Sequence, residues 1–333
     1  MNRMKNLLKD QIIIDGLQYC NWNRELFEDV WTAGFTAIHV TLVYWENTEE
    51  SFKKFDEWGK RIKDNQDIIS HAKGVNDILT AKKNNKVAFI FGFQNSAPIN
   101  NDIFLIEKFY TRGLRFMQLT YNNQTALGGG CYEQNDSGVS RFGKNVIEEM
   151  NRLGIVVDLS HAGKKTCLDA IKFSSKPVAI SHANPLFFHN SIRNIDNEVL
   201  KELSKKNGFI GLSLYPLHLK DHGDCRLEDY CMMIHQLINM IGDDCIGIGS
   251  DLCKNWKDEV LLWMRNGKWT KKLDYGESTV KSLKWPEQPK WFEKGSDIIN
   301  LYEALIKSGI KEKTVINIMG LNWLNFMKNN FSE

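Results

Sequence analysis

Short apolar, β-branched runs recur along the chain, and longer amphipathic stretches separate them. Eight runs read as strands: 12–15, 37–42, 87–93, 116–120, 155–159, 178–181, 209–214 and 246–250. Most are continuously apolar rather than alternating, as expected of parallel strands covered on both faces. Helical periodicity occupies 101–112, 144–153, 164–173, 197–206, 227–241, 296–308 and 311–327. Gly113, Gly154 and Gly208 stand where helix C-caps precede the next strand. Strands and helices alternating eight times predict an α/β fold, a (β/α)8 TIM barrel.

Two stretches break the repeat. Residues 121–143 are rich in Gly and Asn, and residues 253–295 hold five of the ten tryptophans with Pro286 and Pro289. Both follow strand ends, so both belong on the C-terminal rim, where they read as loops covering a substrate, with solvent-exposed decoration as the plainer alternative. The whole chain, 1–333, reads as one barrel domain with these two insertions. Gly128-Gly129-Gly130 lacks the Lys-Ser/Thr of a phosphate loop and reads as a flexible turn.

Composition narrows the function classes. Hydrophobic residues make up 42%, charged residues 25%, and the net charge is +2. That excludes a disordered chain and a general polyanion binder, so no nucleic-acid partner is expected. No apolar run is long enough to span a membrane, and residues 1–10 lack the apolar core of a secretory signal. Seven scattered cysteines without a CxxC pair argue against a disulfide framework or a cysteine zinc site, and for a reduced, cytoplasmic compartment.

In such barrels the chemistry sits at the C-terminal strand ends. Asp158-Leu159-Ser160-His161 and Ala179-Ile180-Ser181-His182 end adjacent strands, so their imidazoles should converge as ligands for zinc or iron. Asp251 ends the eighth strand, where it can take a proton from a metal-activated water or simply cap a turn. Arg193-Asn194 follows His182 by eleven residues and can clamp a carboxylate or close a surface loop. The remaining histidines, including His39, His71, His189, His218, His222 and His235, read as core or surface. Cys20, Cys131 and Cys253 lie near strand-end loops, but nothing local lowers a thiol pKa.

The motifs around these residues resemble the renal (membrane) dipeptidase family, peptidase family M19. They are Val156-Val157-Asp158-Leu159-Ser160-His161, Ala179-Ile180-Ser181-His182, Ile192-Arg193-Asn194, Ile246-Gly247-Ile248-Gly249-Ser250-Asp251 and the segments 115–122, 149–154 and 318–323. The His–His–Arg–Asp gaps are 21, 11 and 58 residues. The resemblance implies a barrel of the metal-dependent hydrolase type, zinc at its mouth, a homodimer, and hydrolysis of dipeptides or related small amides. By it His161 and His182 would ligate metal, Arg193 would hold the substrate carboxylate, and Asp251 would shuttle the proton. The chain departs from the family at the strand-1 motif Asp-Gly-His-x-Asp, which reads Asp15-Gly16-Leu17-Gln18-Tyr19 here. The family's bridging Glu is Gln94, and its oxyanion-stabilising His is Tyr121. Two dications need anionic ligands to offset their repulsion, so a binuclear site is not expected.

The sequence thus predicts one divalent metal, zinc, on His161 and His182 with Gln94 as a third donor. Asp251 and Tyr121 are the expected catalytic residues, and Arg193, Asn194 and Tyr19 the substrate contacts. The partner is a small-molecule substrate, with no membrane. Two rivals stay open: another hydrolytic or lyase chemistry on the same scaffold, with Cys20 and Tyr19 in new roles, and an inactive barrel that binds a small carboxylate.

Overall fold

The computed structural model of the protein describes residues 10–266 and 284–332. Its strands are β1 (Ile14–Cys20), β2 (Ala37–Val43), β3 (Ile69–His71), β4 (Val87–Phe93), β5 (Leu114–Gln118), β6 (Val156–Asp158), β7 (Ala179–Ala183), β8 (Phe209–Leu212), β9 (Ile246–Ile248) and β10 (Leu252–Lys254). Eight of them pair in parallel in the order β1-β2-β4-β5-β6-β7-β8-β9, and Asp15 opposite Ile248 closes the ring. This is the (β/α)8 barrel, and each of its strands overlaps one of the eight apolar runs.

Two strands stand outside that ring. β3 pairs with β4, in register with residues Val87 to Phe89. β10 pairs with β1, with Gln18 opposite Leu252 and Cys20 opposite Lys254. The second pairing extends the first expected strand, 12–15, through residues 16–20, because β10 supplies the hydrogen-bonding edge. Helices Arg24–Ala33, Thr48–Asp64 and Val75–Lys83 complete the outer layer over the first part of the chain.

Gly113 and Gly154 adopt the left-handed conformation that ends a helix, at φ 108° and 83°. Gly208 does not. There the left-handed residue is Asn207, at φ 53°, and Gly208 is needed for space instead, since a Cβ would lie 2.5 Å from a methyl of Leu203. The expected helix 311–327 is broken into Glu312–Ile316, a π-helical stretch Asn317–Leu321, and Asn322–Asn330. The break falls where Gly320 meets the β1 approach; a Cβ on it would sit 2.2 Å from the Ile12 carbonyl oxygen.

The last helix closes the bottom of the barrel. The Trp323 indole is fully buried and donates to the Ile248 carbonyl at 2.7 Å. It packs against Phe116 of β5, Phe209 of β8 and Phe326. Gly16, Gly211 and Gly247 face it without side chains, and a Cβ on any of them would come within 3.0 Å of the indole. The lower barrel is therefore solid, and the open chemistry is confined to the top.

Of the second insertion, residues 267–283 lie outside the described residues. The described parts are held to the rim by tryptophan N–H groups: Trp256 donates to Tyr19 O, Trp285 to Lys257 O and Trp291 to Cys225 O. No helix among the described residues is long and apolar enough to cross a membrane.

Candidate metal and anion site

Two carboxylates floor the barrel mouth in matching ways. Asp158, at the end of β6, accepts from the Ser160 and Ser181 amides, from both serine hydroxyls and from Gln118 Nε2. Asp15 does the same across the closure of the ring, accepting from the Leu17 and Ser250 amides, the Ser250 hydroxyl and Gln18 Nε2. Burial raises the Asp15 pKa, and the hydrogen bonds from Ser250 and Gln18 oppose it.

The Asp158 bracket fixes the imidazole above it. The Ser181 hydroxyl has one proton, and its 2.5 Å contact to Asp158 Oδ2 uses it. Ser181 Oγ therefore accepts from His182 Nδ1, 2.8 Å away. His161 Nδ1 lies 2.6 Å from Asn122 Oδ1, an atom that can only accept, so His161 also carries its proton on Nδ1. Both Nε2 atoms are left as lone pairs, and they face each other at 3.0 Å. Burial, reinforced by the neighbouring Arg193 charge, holds both imidazoles well below their ordinary pKa.

The backbone is shaped to hold this pair. His161, Asn122 and Asp251 all adopt positive φ, at 67°, 63° and 54°, a conformation uncommon outside glycine and concentrated at functional sites. The Gly128-Gly129-Gly130 segment, expected to be a flexible turn, is packed instead. Gly130 bridges Ala162, and a Cβ on it would lie 2.1 Å from the Asn122 carbonyl oxygen. Cys131 N donates to His161 O and Gly163 N to Gly129 O. The first insertion thus clamps the His161 turn and the Asn122 that orients it.

Of the other expected residues, Tyr121 touches the imidazole pair and Arg193 the backbone of His182. Tyr121 is buried, and its ring stacks on His161 at 4.2 Å between centroids. Tyr44 and Trp45 pack edge-on against Tyr121, and Tyr19 sits between Tyr44 and Trp256. The side of the mouth that carries Leu17 and Gln94 is therefore walled by aromatic rings. Leu17 is fully buried, and its carbonyl accepts from Asp251 N at 3.0 Å. Gln94 spends its amide nitrogen on Thr41 Oγ1 at 2.6 Å and on Tyr44 OH at 3.4 Å.

The converging lone pairs of His161 and His182 have the chemistry to hold one cation. Leu17 has no donor atom, and Gln94 is neutral. Among the described residues no three His, Cys, Asp or Glu side chains form a metal-holding group. Two imidazoles with oriented Nδ1 partners are half of a zinc site, and solvent or substrate atoms would complete it.

Arg193 is 1% exposed, with Nη2 3.4 Å from the His182 carbonyl and Nε unpartnered. No carboxylate pairs with it among the described residues. Leaving a buried guanidinium without an anion costs several kcal/mol, on the order of the penalty for a broken buried ion pair. Asn194 points elsewhere: its amide braces His189 O and His218 O, and its oxygen accepts from Asn184 N. It positions the Arg193 turn. Cys20 is buried, which pushes its thiol well above the usual range, and its sulfur donates to Leu252 O. That removes the support for Cys20 as a thiolate nucleophile.

Asn122, Ser181 and Asp158 act here as orienting groups, roles the sequence pattern did not assign, while His218, expected in the core or on the surface, is buried. The Asp-x-Ser-His and Ser-His repeats were a usable signal for the serines and the aspartate. Nothing local marks Asn122, which acts through a contact between strand-end loops.

Comparison with known proteins agrees with this architecture. The profile of membrane dipeptidase, peptidase family M19, matches residues 1–258. A dipeptidase of Claviceps purpurea is 25% identical over 289 residues, covering 86% of this chain and 61% of its own length. The chain thus spans less than two thirds of that curated relative. Among solved structures, an amidohydrolase from Pseudomonas aeruginosa superimposes with a TM-score of 0.93 at 34% identity, covering 99% of both chains. A metallo peptidase from Rhodobacter sphaeroides, solved with a phosphinate dipeptide mimic, has a TM-score of 0.79 at 15% identity over 97% of this chain and 100% of its own, a likeness of fold.

Proposed function

The chain belongs to the membrane dipeptidase family, peptidase family M19, and from that membership we propose that it is a hydrolase of dipeptides or related small amides that works with one divalent metal, zinc, rather than two. The observation that carries this reading is the facing pair of Nε2 lone pairs on His161 and His182, 3.0 Å apart and fixed by Asn122 and Ser181. When bound there, zinc supplies Lewis acidity that polarises the amide carbonyl and acidifies the attacking water.

The chain's own groups do the rest. Asp251 takes the proton of the attacking water and returns it to the leaving amine nitrogen. The Tyr121 phenol donates toward the developing oxyanion. Arg193 holds the substrate carboxylate, whose charge offsets that of the buried guanidinium. Tyr19 and the aromatic wall contact the rest of the substrate. Gln94 offers a neutral oxygen as a further donor to the cation.

The test is hydrolysis of a dipeptide panel by protein freed of metal with a chelator and then resupplied with zinc. Zinc-dependent release of free amino acids, lost in Asp251→Asn, is the expected result; no release with any metal overturns the proposal. One other reading has an observation in its favour. Since only two imidazoles converge, the barrel could bind a small carboxylate at Arg193 without turning it over, and zinc-independent binding with no hydrolysis would establish that instead.

A further inference from the structure

The base of the barrel carries a charged cavity that the mouth does not use. Arg115 is the second residue of β5, whose other end, Gln118, reaches Asp158 at the mouth. Arg115 is buried, at 5% exposure. Its Nε donates to Lys73 O, and its Nη1 donates to Tyr110 O at 3.1 Å and to Leu114 O at 2.8 Å. Three of its five N–H groups are thereby spent, and the two on Nη2 have no partner among the described residues. No carboxylate pairs with the guanidinium among the described residues, and burial lowers its pKa. The charge is fixed in place, 4.1 Å from the centre of the Tyr110 ring.

The chain beside it supplies more of the same sign. Lys73 O ties Arg115 to the start of the nine-residue helix Val75–Lys83. The first intrahelical bond there is Ile78 N to Gly74 O, so the amides of Val75, Asn76 and Asp77 have no carbonyl a turn earlier to bond. Such a terminus is positive and favours an anion. Together with it, Arg115, Lys73 and Lys328 line one cavity of about 520 Å³, a volume typical of small-molecule sites. Asp77 is the one carboxylate among the described lining residues, and it accepts from the Lys73 and Gly74 amides at 2.8 and 3.1 Å. Three cations against one carboxylate leave two positive charges in excess. Leu79 and Phe331 give the same cavity an apolar part, and Leu79 is 39% exposed.

We propose that this cavity is a second binding site, one for the phosphate group of a small phosphate ester. Arg115 Nη2 and the first helix amides donate to the phosphate oxygens, and Lys73 and Lys328 balance its charge. The apolar body of the ester rests on Leu79 and Phe331. A dianion with several acceptor oxygens matches two excess positive charges and donors on separate elements better than a carboxylate does. The site shares no residue with the mouth, so the proposal stands apart from any reading of the hydrolytic chemistry.

The probes are sodium phosphate and phenyl phosphate, each titrated against sodium chloride at equal ionic strength, with ¹⁵N amide and arginine side-chain signals followed by NMR. Both should shift the Val75, Asn76 and Arg115 signals saturably in the wild-type protein. Phenyl phosphate should bind about tenfold tighter than phosphate, through the apolar area its ring buries. Arg115→Lys keeps the charge but loses the fork, and should weaken both probes by about tenfold or more. The double variant Lys73→Gln/Lys328→Gln alters only exposed side chains, and should weaken both by about tenfold. Should Arg115→Lys not fold, the double variant decides. Signals at this cavity unmoved by either probe overturn the proposal, as do shifts confined to the barrel mouth. Phenyl phosphate that binds no tighter than phosphate overturns it too, as does wild-type affinity in the folded double variant.

Discussion

Replacing Ser181 with alanine removes the acceptor that keeps the His182 proton on Nδ1. The ring is then free to carry its proton on Nε2, where it blocks a metal. Loss of such an orienting partner typically lowers metal affinity by about 10- to 100-fold, and Ser181→Ala is expected to show that loss by zinc titration with little change in fold. Unchanged zinc affinity would mean that Ser181 does not set the tautomer. The two histidines are legible in the sequence because each ends an apolar run behind a serine. Asn122 is not, because it orients His161 through a contact spanning 39 residues.

At the scale of elements, the eight barrel strands are legible because continuous apolar runs have few other uses in a chain of this composition. β3 and β10 are not, since three-residue strands outside the ring leave no periodic trace. The continuation of β1 through Cys20 hides for a related reason, as it depends on pairing with a strand more than 200 residues away. The barrel floor makes the corresponding prediction. Trp323 fills the space left by three strand glycines, and nothing smaller replaces it. Trp323→Ala should destabilise the fold by about 3–5 kcal/mol, the usual cost of deleting a buried large aromatic side chain. Equilibrium urea unfolding checks this; a loss under about 1 kcal/mol would mean that the floor collapses to fill the gap.

Several histidines have lowered pKa values in the native molecule. Burial lowers His39 and His71 to about 4, and holds His161, His182 and His218 well below the ordinary value. In the unfolded chain each titrates near ~6.5. Between that value and the folded values the unfolded state binds protons that the native state refuses, so stability falls as pH falls. Each such proton contributes a slope of about 1.4 kcal/mol per pH unit. Asp15 works the other way: its folded pKa is raised above 3.8, so its contribution is present at low pH and lost as pH rises through the folded value. The histidines outnumber it, and the melting temperature should drop steeply from pH 7 to pH 5. A flat melting profile across that interval would show that these rings take up protons in the native state.

His161 and His182 are proposed to hold one metal rather than two. The most direct measurement is the zinc content of protein loaded with excess zinc and desalted, for the wild type and for His182→Ala. One zinc per chain in the wild type and none retained by the variant is the expected result. Two zincs per wild-type chain, or a single zinc that survives the loss of His182, would contradict it.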